Sequence, residues 1–263
     1  FSWFDASGDG IQNGIKVIYS AMTDAKAAVR FFRKNVAEDN NSYGIDQNQI
    51  WMGGNSAGSC LAPHMEFVGS VDEFIEGIET NGQEYALNLA NANGGMEGNS
   101  GNSGYSSEIS GMINLAGALH TVDWIDEFDS TPIVSCHGTE DETVPDECGT
   151  ILNGDDHLTA CGSMAIHPII SNYGVVNDLL IFEGEGHCPW DGDAFYKQQM
   201  IDFVTSFVYN NIQCDQTYIE EMYSDKTLLY SFDLLGRISS SNNGLRFSVY
   251  SDGTVNKKIT LNF

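Results

Sequence analysis

Between residues 11 and 37, Ile15, Ile18, Met22, Ala25, Val29 and Phe32 recur at intervals of three or four, with Asp24, Lys26, Arg30 and Lys34 between them. That period gathers the apolar side chains on one face and predicts a long amphipathic helix. Asn40, Asn41 and Gly44 then interrupt it. Ile50-Trp51-Met52 is a short apolar run leading into Gly53-Gly54, and a helix-compatible pattern returns from Ala57. A strand, a sharp turn and a helix follow from that order. Met112–Ala116, Pro132–Cys136 and Asp178–Phe182 are further short apolar runs bounded by turn residues, with helix-like segments between some of them. The alternation predicts an α/β domain built on a mostly parallel sheet. Phe195–Asn210, carrying Met200, Phe203 and Phe207, predicts a closing helix.

Two regions depart from this rhythm. Residues 66–110 begin with an acidic helical piece, Val71–Ala90, and continue into a Gly/Asn/Ser tract, Asn91–Ser107. That composition predicts a flexible surface loop, inside an insertion or cap, with no core of its own. After Cys214, the alternating segments Leu228–Phe232, Leu245–Tyr250 and Lys258–Phe263 are separated by Gly236, Asn242-Asn243-Gly244 and Asp252-Gly253. Asn-Gly and Asp-Gly turns between such segments predict β-hairpins. The organisation expected is a domain over 1–214 and a small β-rich module over 215–263.

Composition narrows the classes. The chain has 263 residues, of which 37 are Asp or Glu against 11 Lys or Arg, a formal net charge of −26. Nucleic acid and anionic membrane surfaces would repel it, so neither is expected as a partner. A 41% hydrophobic and 11% aromatic content excludes a disordered chain. No apolar stretch approaches the ~20 residues that span a bilayer. The sequence opens at Phe1-Ser2-Trp3-Phe4 without initiator Met or signal peptide, as a processed or truncated product does. Among the six cysteines no CxxC pair suggests zinc. Cys148 and Cys161 bracket a polar loop, and a disulfide closing it is expected if the protein is exported. Cys60, Cys136, Cys188 and Cys214 are expected as free buried thiols.

The chemistry concentrates in three places. Gly54-Asn55-Ser56-Ala57-Gly58 matches G-x-S-x-G between a strand and a helix, the setting of a nucleophile elbow. Glycines at both ends fit a strained turn that admits only small neighbours, and the helix behind offers the Ala57 N–H to an oxyanion. Serine is a poor nucleophile near neutrality and needs a base, which in turn needs an orienting acid. The His137–Pro145 block follows the strand ending at Cys136 and carries Asp141, with Glu140 and Glu142 as alternatives. Glu183-Gly184-Glu185-Gly186-His187 follows the strand ending at Phe182. All three candidates, Ser56, Asp141 and His187, thus belong at one edge of the sheet. His137 reads as a structural residue at a strand end. His64, His120, His157 and His167 show no metal spacing, and Asp5–Gly10 lacks the closing acid of a calcium loop, Lys16 standing in its place.

At these residues the chain resembles an α/β-hydrolase of the carboxylesterase type, near the hormone-sensitive-lipase-like and feruloyl-esterase-like groups. The likeness rests on Asp24–Phe32, Tyr43–Asp46, Gly53–Gly58, the His137–Pro145 block and Gly184–His187. It implies Ser56 as nucleophile, His187 as general base and acid, Asp141 as orienting carboxylate, and Ala57 as an oxyanion donor, with no cofactor. The implied substrate is a small-molecule or polysaccharide-linked ester. Residues 228–263 resemble the C-terminal sorting domain of type IX secretion in Bacteroidetes, through Tyr230–Arg237 and Asp252-Gly253 followed by Lys257-Lys258. That likeness implies a secreted or cell-surface protein that engages secretion machinery.

One departure stands out. Esterases of this type carry strands and a His-Gly-Gly loop before the elbow, whereas 55 residues precede Ser56 here and no His-Gly-Gly occurs. The resemblance therefore implies a sheet without its first strands. Two other readings stay open at this level: a serine peptidase of the same fold, and a catalytically impaired module that only binds.

Overall fold

The computed structural model describes residues 10–151, 159–212, 227–232, 238, 244–251 and 255–260. The chain divides into two compact units, Phe1–Ile212 and Gln213–Phe263.

In the first unit, the amphipathic segment forms α1 (Gly10–Glu38), which Asn40 and Asn41 end by adopting φ of 54° and 50°. Asparagine tolerates that left-handed geometry better than most side chains. β1 (Trp51–Asn55) follows, then a 3₁₀ turn at Ser56–Gly58 and α2 (Leu61–Phe67). The acidic stretch read as one helix is two, α3 (Val71–Glu76) and α4 (Thr80–Ala92). Between them Gly77 lies beneath Trp124, whose Nε1 would sit 2.2 Å from an added Cβ. A close approach, rather than the apolar period, sets this break.

β2 (Gly111–Leu115), β3 (Ile133–Gly138) and β6 (Asn177–Phe182) complete a four-stranded parallel sheet in the order β1-β2-β3-β6. β4 (Cys148–Thr150) and β5 (Thr159–Cys161) pair as a separate antiparallel ribbon, joined by a Cys148–Cys161 disulfide. α5 (Ser163–Asn172) precedes β6; α6 (Pro189–Gly192) and α7 (Ala194–Asn211) follow it. Each face of the sheet has its own core. On one side Tyr19, Met22, Phe67, Phe74, Ile133 and Ile166 pack together from α1, α2, α3, β3 and α5. On the other, Val134, Cys136, Phe182, Trp190 and Phe207 join the sheet to α6 and α7. At roughly 1.5–3 kcal/mol for each fully buried large apolar side chain, these two layers fix the strand ends that carry the candidate residues.

The Gly/Asn/Ser tract is not the coreless loop its composition predicts. Met96 and Ile109, within and just after it, enter the first core. The tract also lies strapped along α1, where Arg30 Nη1 donates to the Glu97 carboxylate at 2.7 Å and Arg33 Nη1 to Ser106 O at 2.7 Å. Ser100 Oγ donates to Asp24, and Tyr105 Oη to Glu38, both at 2.5 Å.

The second unit holds three antiparallel strands, β7 (Leu228–Phe232), β8 (Gly244–Tyr250) and β9 (Val255–Thr260), in that order. The last strand begins earlier than the Lys258–Phe263 segment read from sequence, because Val249 already pairs with Val255. His157, Cys214 and residues 1–9, which include Asp5 and Asp9 of the Asp5–Gly10 stretch, lie outside the described residues.

Candidate active site

The site begins with steric conflict at the end of β1. A Cβ on Gly53 would fall 2.6 Å from Ile113 Cβ, and one on Gly54 would fall 2.4 Å from the backbone of Gly58. β1 can therefore lie close against β2 and fold back at once. Ser56 sits at the apex with φ 56°, a left-handed conformation that side chains other than glycine and asparagine rarely adopt. The turn is clamped from behind by Ser59, whose hydroxyl lies 2.7 Å from Ser56 O and 2.9 Å from Leu115 O. Gly58 differs from the symmetrical expectation, since nothing lies within 4 Å of its Cβ position. Only the first glycine of the motif is sterically required. Ala57 is exposed in the 3₁₀ turn, and the α-helix proper starts later, at Leu61.

β3 and β6 deliver the other two residues through loops that lie against each other. A Cβ on Gly138 would meet Glu185 O at 2.3 Å, Glu140 N–H donates to Glu185 O at 2.9 Å, and Gly184 N–H donates to Thr139 Oγ1 at 2.8 Å. Across this contact His187 Nδ1 lies 2.6 Å from Asp141 Oδ2, and His187 Nε2 lies 2.7 Å from Ser56 Oγ. The structure thus brings Ser56, His187 and Asp141 into one hydrogen-bonded line. Glu140 and Glu142 are exposed, whereas Asp141 is buried.

The carboxylate is heavily solvated by protein. Asp141 Oδ1 accepts the Thr143 and Val144 N–H groups, both at 2.9 Å. Burial pushes the Asp141 pKa up, but the His137 and His187 rings and these two amides outweigh it and hold the carboxyl far below 3.8. Correspondingly, the bond to Asp141 and then the Cys188 side chain lift His187 well above 6.5, against a smaller opposing effect of burial. A ring so placed stabilises positive charge on itself while its Nε2 faces a serine hydroxyl. That is the arrangement for moving a proton off Ser56.

Sequence reading missed the Asn55, Cys188 and Trp190 cluster. Asn55 Oδ1 accepts from Trp190 Nε1 at 2.8 Å and from Cys188 Sγ at 3.4 Å, and its amide donates to Asp191 Oδ2 at 3.3 Å. An indole three residues after the candidate histidine, in a chain with four tryptophans, was the available signal. The remaining described histidines lie elsewhere. His64 donates Nδ1–H to Cys60 O at 2.6 Å and accepts the His120 N–H at 3.3 Å, and burial draws its pKa down to about 4. His167 is buried between Asn177 and Ser135, and burial lowers its pKa as well. Among the described residues no group of three His, Cys, Asp or Glu side chains is placed to hold a metal ion. Cys60, Cys136 and Cys188 are free and buried.

No protein-family model matches the chain, and no curated protein matches it. Its backbone does resemble solved structures. A truncated carbohydrate esterase from gut microbiota aligns with a TM-score of 0.48 and 18% identity, over 72% of this chain and 68% of that one. Esterase 2 of the Planctomycetes species Thermogutta terrifontis, with propionate bound, gives 0.50 and 18% identity, over 73% of this chain and 65% of that one. The same esterase phosphoramylated by tabun gives the same figures. This chain therefore spans less than two thirds of the Thermogutta enzyme's length. Likeness at that identity concerns the fold: a mostly parallel sheet between helical layers, the α/β-hydrolase fold.

Proposed function

We propose that this chain is a serine ester hydrolase of the carboxylesterase type, with Ser56 as nucleophile, His187 as base and acid, and Asp141 as the carboxylate that orients His187. The observation that carries the reading is the unbroken line of hydrogen bonds, 2.7 Å from Ser56 Oγ to His187 and 2.6 Å from His187 to Asp141. Ser56 Oγ attacks the ester carbonyl carbon as its proton passes to His187 Nε2. The Ala57 N–H stabilises the negative oxygen of the tetrahedral species. His187 returns the proton to the departing alkoxide, the alcohol leaves, and an acyl-Ser56 ester remains. Water, deprotonated by His187, releases the acid and restores Ser56. Every proton in the cycle has a named carrier, so the proposal requires no cofactor.

Short acyl esters, free or attached to a carbohydrate, are the proposed substrates, in keeping with the propionate held by the Thermogutta esterase and the carbohydrate named for the gut-microbiota esterase. The proposed setting is outside the cytoplasm. The disulfide between Cys148 and Cys161 suits an oxidising compartment, and residues 215–263 would act as a sorting module read by secretion machinery.

The test is hydrolysis of a short-chain nitrophenyl ester by the full chain and by Ser56→Ala, together with labelling by a fluorophosphonate. Turnover that falls to background with loss of label in Ser56→Ala is the expected result. Equal turnover by both proteins would remove the proposed mechanism.

A further inference from the structure

Asp141 touches a second imidazole. His137, at the C-terminal end of β3, is wholly buried, and its Nε2 lies 3.1 Å from Val144 O and 3.4 Å from Asp141 Oδ2. A carbonyl and a carboxylate can only accept hydrogen bonds, so Nε2 carries a proton, which it donates to Val144 O while Asp141 Oδ2 lies beside it. The opposite ring nitrogen, Nδ1, lies 3.0 Å from Ser163 Oγ at the start of α5. Ser163 Oγ is in turn 3.3 Å from Asn114 Nδ2 on β2, and the same amide nitrogen is 3.3 Å from Ser135 Oγ on β3. Ser135 Oγ is 2.8 Å from His167 Nε2.

Donors and acceptors alternate consistently along the bonded atoms of this buried spine. Asn114 Nδ2 lies 3.3 Å from each serine oxygen and 3.5 Å from Gly117 O, while its Oδ1 is buried and accepts no hydrogen bond among the described residues. Ser163 passes its hydroxyl proton toward His137 Nδ1, leaving Nε2–H for Val144 O, with Asp141 Oδ2 alongside at 3.4 Å. Ser135 does the same toward His167 Nε2, whose other nitrogen donates to Asn177 Oδ1 at 2.9 Å. His137, Asn114, Ser135 and Ser163 are fully buried. Polar side chains so enclosed are costly to leave unpaired, so the hydrogen bonds that His137, Ser135 and Ser163 do make resist rearrangement.

We propose that His137 is a positioning residue for the proposed reaction: held in one tautomer by Ser163 and Asn114, it fixes Asp141 Oδ2 so that His187 faces Ser56. This rests on the ester-hydrolase reading for its effect on turnover, but its structural content does not. Two amides anchor Asp141 Oδ1, whereas among the described residues Oδ2 is met by the His187 ring at 2.6 Å and by the His137 ring at 3.4 Å. Removing His137 would leave the oxygen that orients His187 with one restraint.

The test compares His137→Phe, His137→Gln and Ser163→Ala in the full chain. Short-chain ester turnover and the strongly deshielded proton resonance of His187 Nδ1–H are the two readouts. His137→Phe is expected to lower kcat by about 10- to 100-fold with KM within about twofold, the size of effect that a small misplacement of a catalytic group produces. The His187 resonance should move or broaden at the same time. His137→Gln, which restores an N–H near the Nε2 position, should recover most of the lost kcat and the resonance. If His137→Phe does not fold, Ser163→Ala carries the comparison, with the same direction and a smaller effect. A folded His137→Phe, or in its place Ser163→Ala, with wild-type kcat and an unmoved resonance would overturn the proposal. If the wild-type chain hydrolyses no ester, the functional reading fails by itself. The resonance then decides the positioning role: its displacement supports it and its constancy overturns it.

Discussion

The side-chain oxygen of Asn55, one residue before Ser56, accepts the indole N–H of Trp190, three residues after His187, at 2.8 Å. The end of β1 and the loop after β6 are thus joined by a bond that does not pass through Ser56 or His187. Trp190 is buried and packs on Phe182, ring centroids 5.6 Å apart, so the indole anchors the histidine loop in the core while its N–H holds the elbow. Trp190→Phe keeps the buried ring and deletes the donor. It should cost about 1 kcal/mol in urea denaturation and slow fluorophosphonate labelling of Ser56. Unchanged stability and labelling would show that the bond contributes nothing to the geometry.

Asp141 and His187 set opposite trends with pH. The raised His187 pKa places the rising limb of activity above 6.5, and Asp141→Asn, which removes the largest cause of the rise, should move that limb to lower pH. The same change is expected to lower kcat by roughly 10⁴, the loss typical when an orienting carboxylate becomes an amide. Folding stability follows the linkage of each group. His187 contributes fully below 6.5 and loses its contribution as pH rises through the elevated folded value. Asp141 contributes fully above 3.8 and loses its contribution as pH falls through the depressed folded value. Their joint contribution is complete between 3.8 and 6.5. A plot of Tm against pH for wild type and Asp141→Asn should therefore diverge most in that window, and parallel curves would contradict it.

The two glycines of the motif should respond differently to alanine. Gly54→Ala forces a methyl to within 2.4 Å of backbone atoms that cannot turn away, so the elbow must deform. A loss of more than about 3 kcal/mol is expected, with little serine labelling. Gly58→Ala meets nothing within 4 Å and should leave stability within about 1 kcal/mol of wild type. Thermal melts of the pair decide the matter; equal effects would refute the assignment.

The Cys148–Cys161 bridge ties the β4–β5 ribbon, and Leu119 pairs with Cys161 beside it. The cysteines are 13 residues apart, and closing a loop of that size stabilises by up to about 3 kcal/mol. Replacing both by serine should lower the urea midpoint, and a reductant should lower it in the wild type but not in the double variant. Insensitivity of the wild type would indicate that the ribbon holds without the bond.

Much of the layout was legible because it depends on period. The apolar rows of α1 and α7 and the short runs of β1, β2, β3 and β6 each announce a buried face, and parallel strands place Ser56, Asp141 and His187 at one end. What escaped the sequence depends on contacts between distant segments. The break at Gly77 comes from Trp124, 47 positions later. The Gly/Asn/Ser tract looked unable to order itself, and its partners are the carbonyl-seeking arginines and the polar side chains of α1. The tether through Asn55 and the spine behind His137 use asparagine, serine and histidine, residues equally at home in turns. No local pattern distinguishes a buried hydrogen-bonding role from a surface one.

The strap over α1 bears on the order in which the chain acquires its shape during synthesis. Arg30 and Lys26 are buried on α1, yet Glu97, which pairs with both, follows them by 67 and 71 positions. A helix emerging first would have to keep those two cations in water, since enclosing them without a counter-charge costs several kcal/mol. The apolar row on the same helix would stay loosely placed for as long. Final seating of α1 thus waits for a segment translated long after it, and a chain arrested before Glu97 should present this helix to chaperones or proteases rather than to its own sheet.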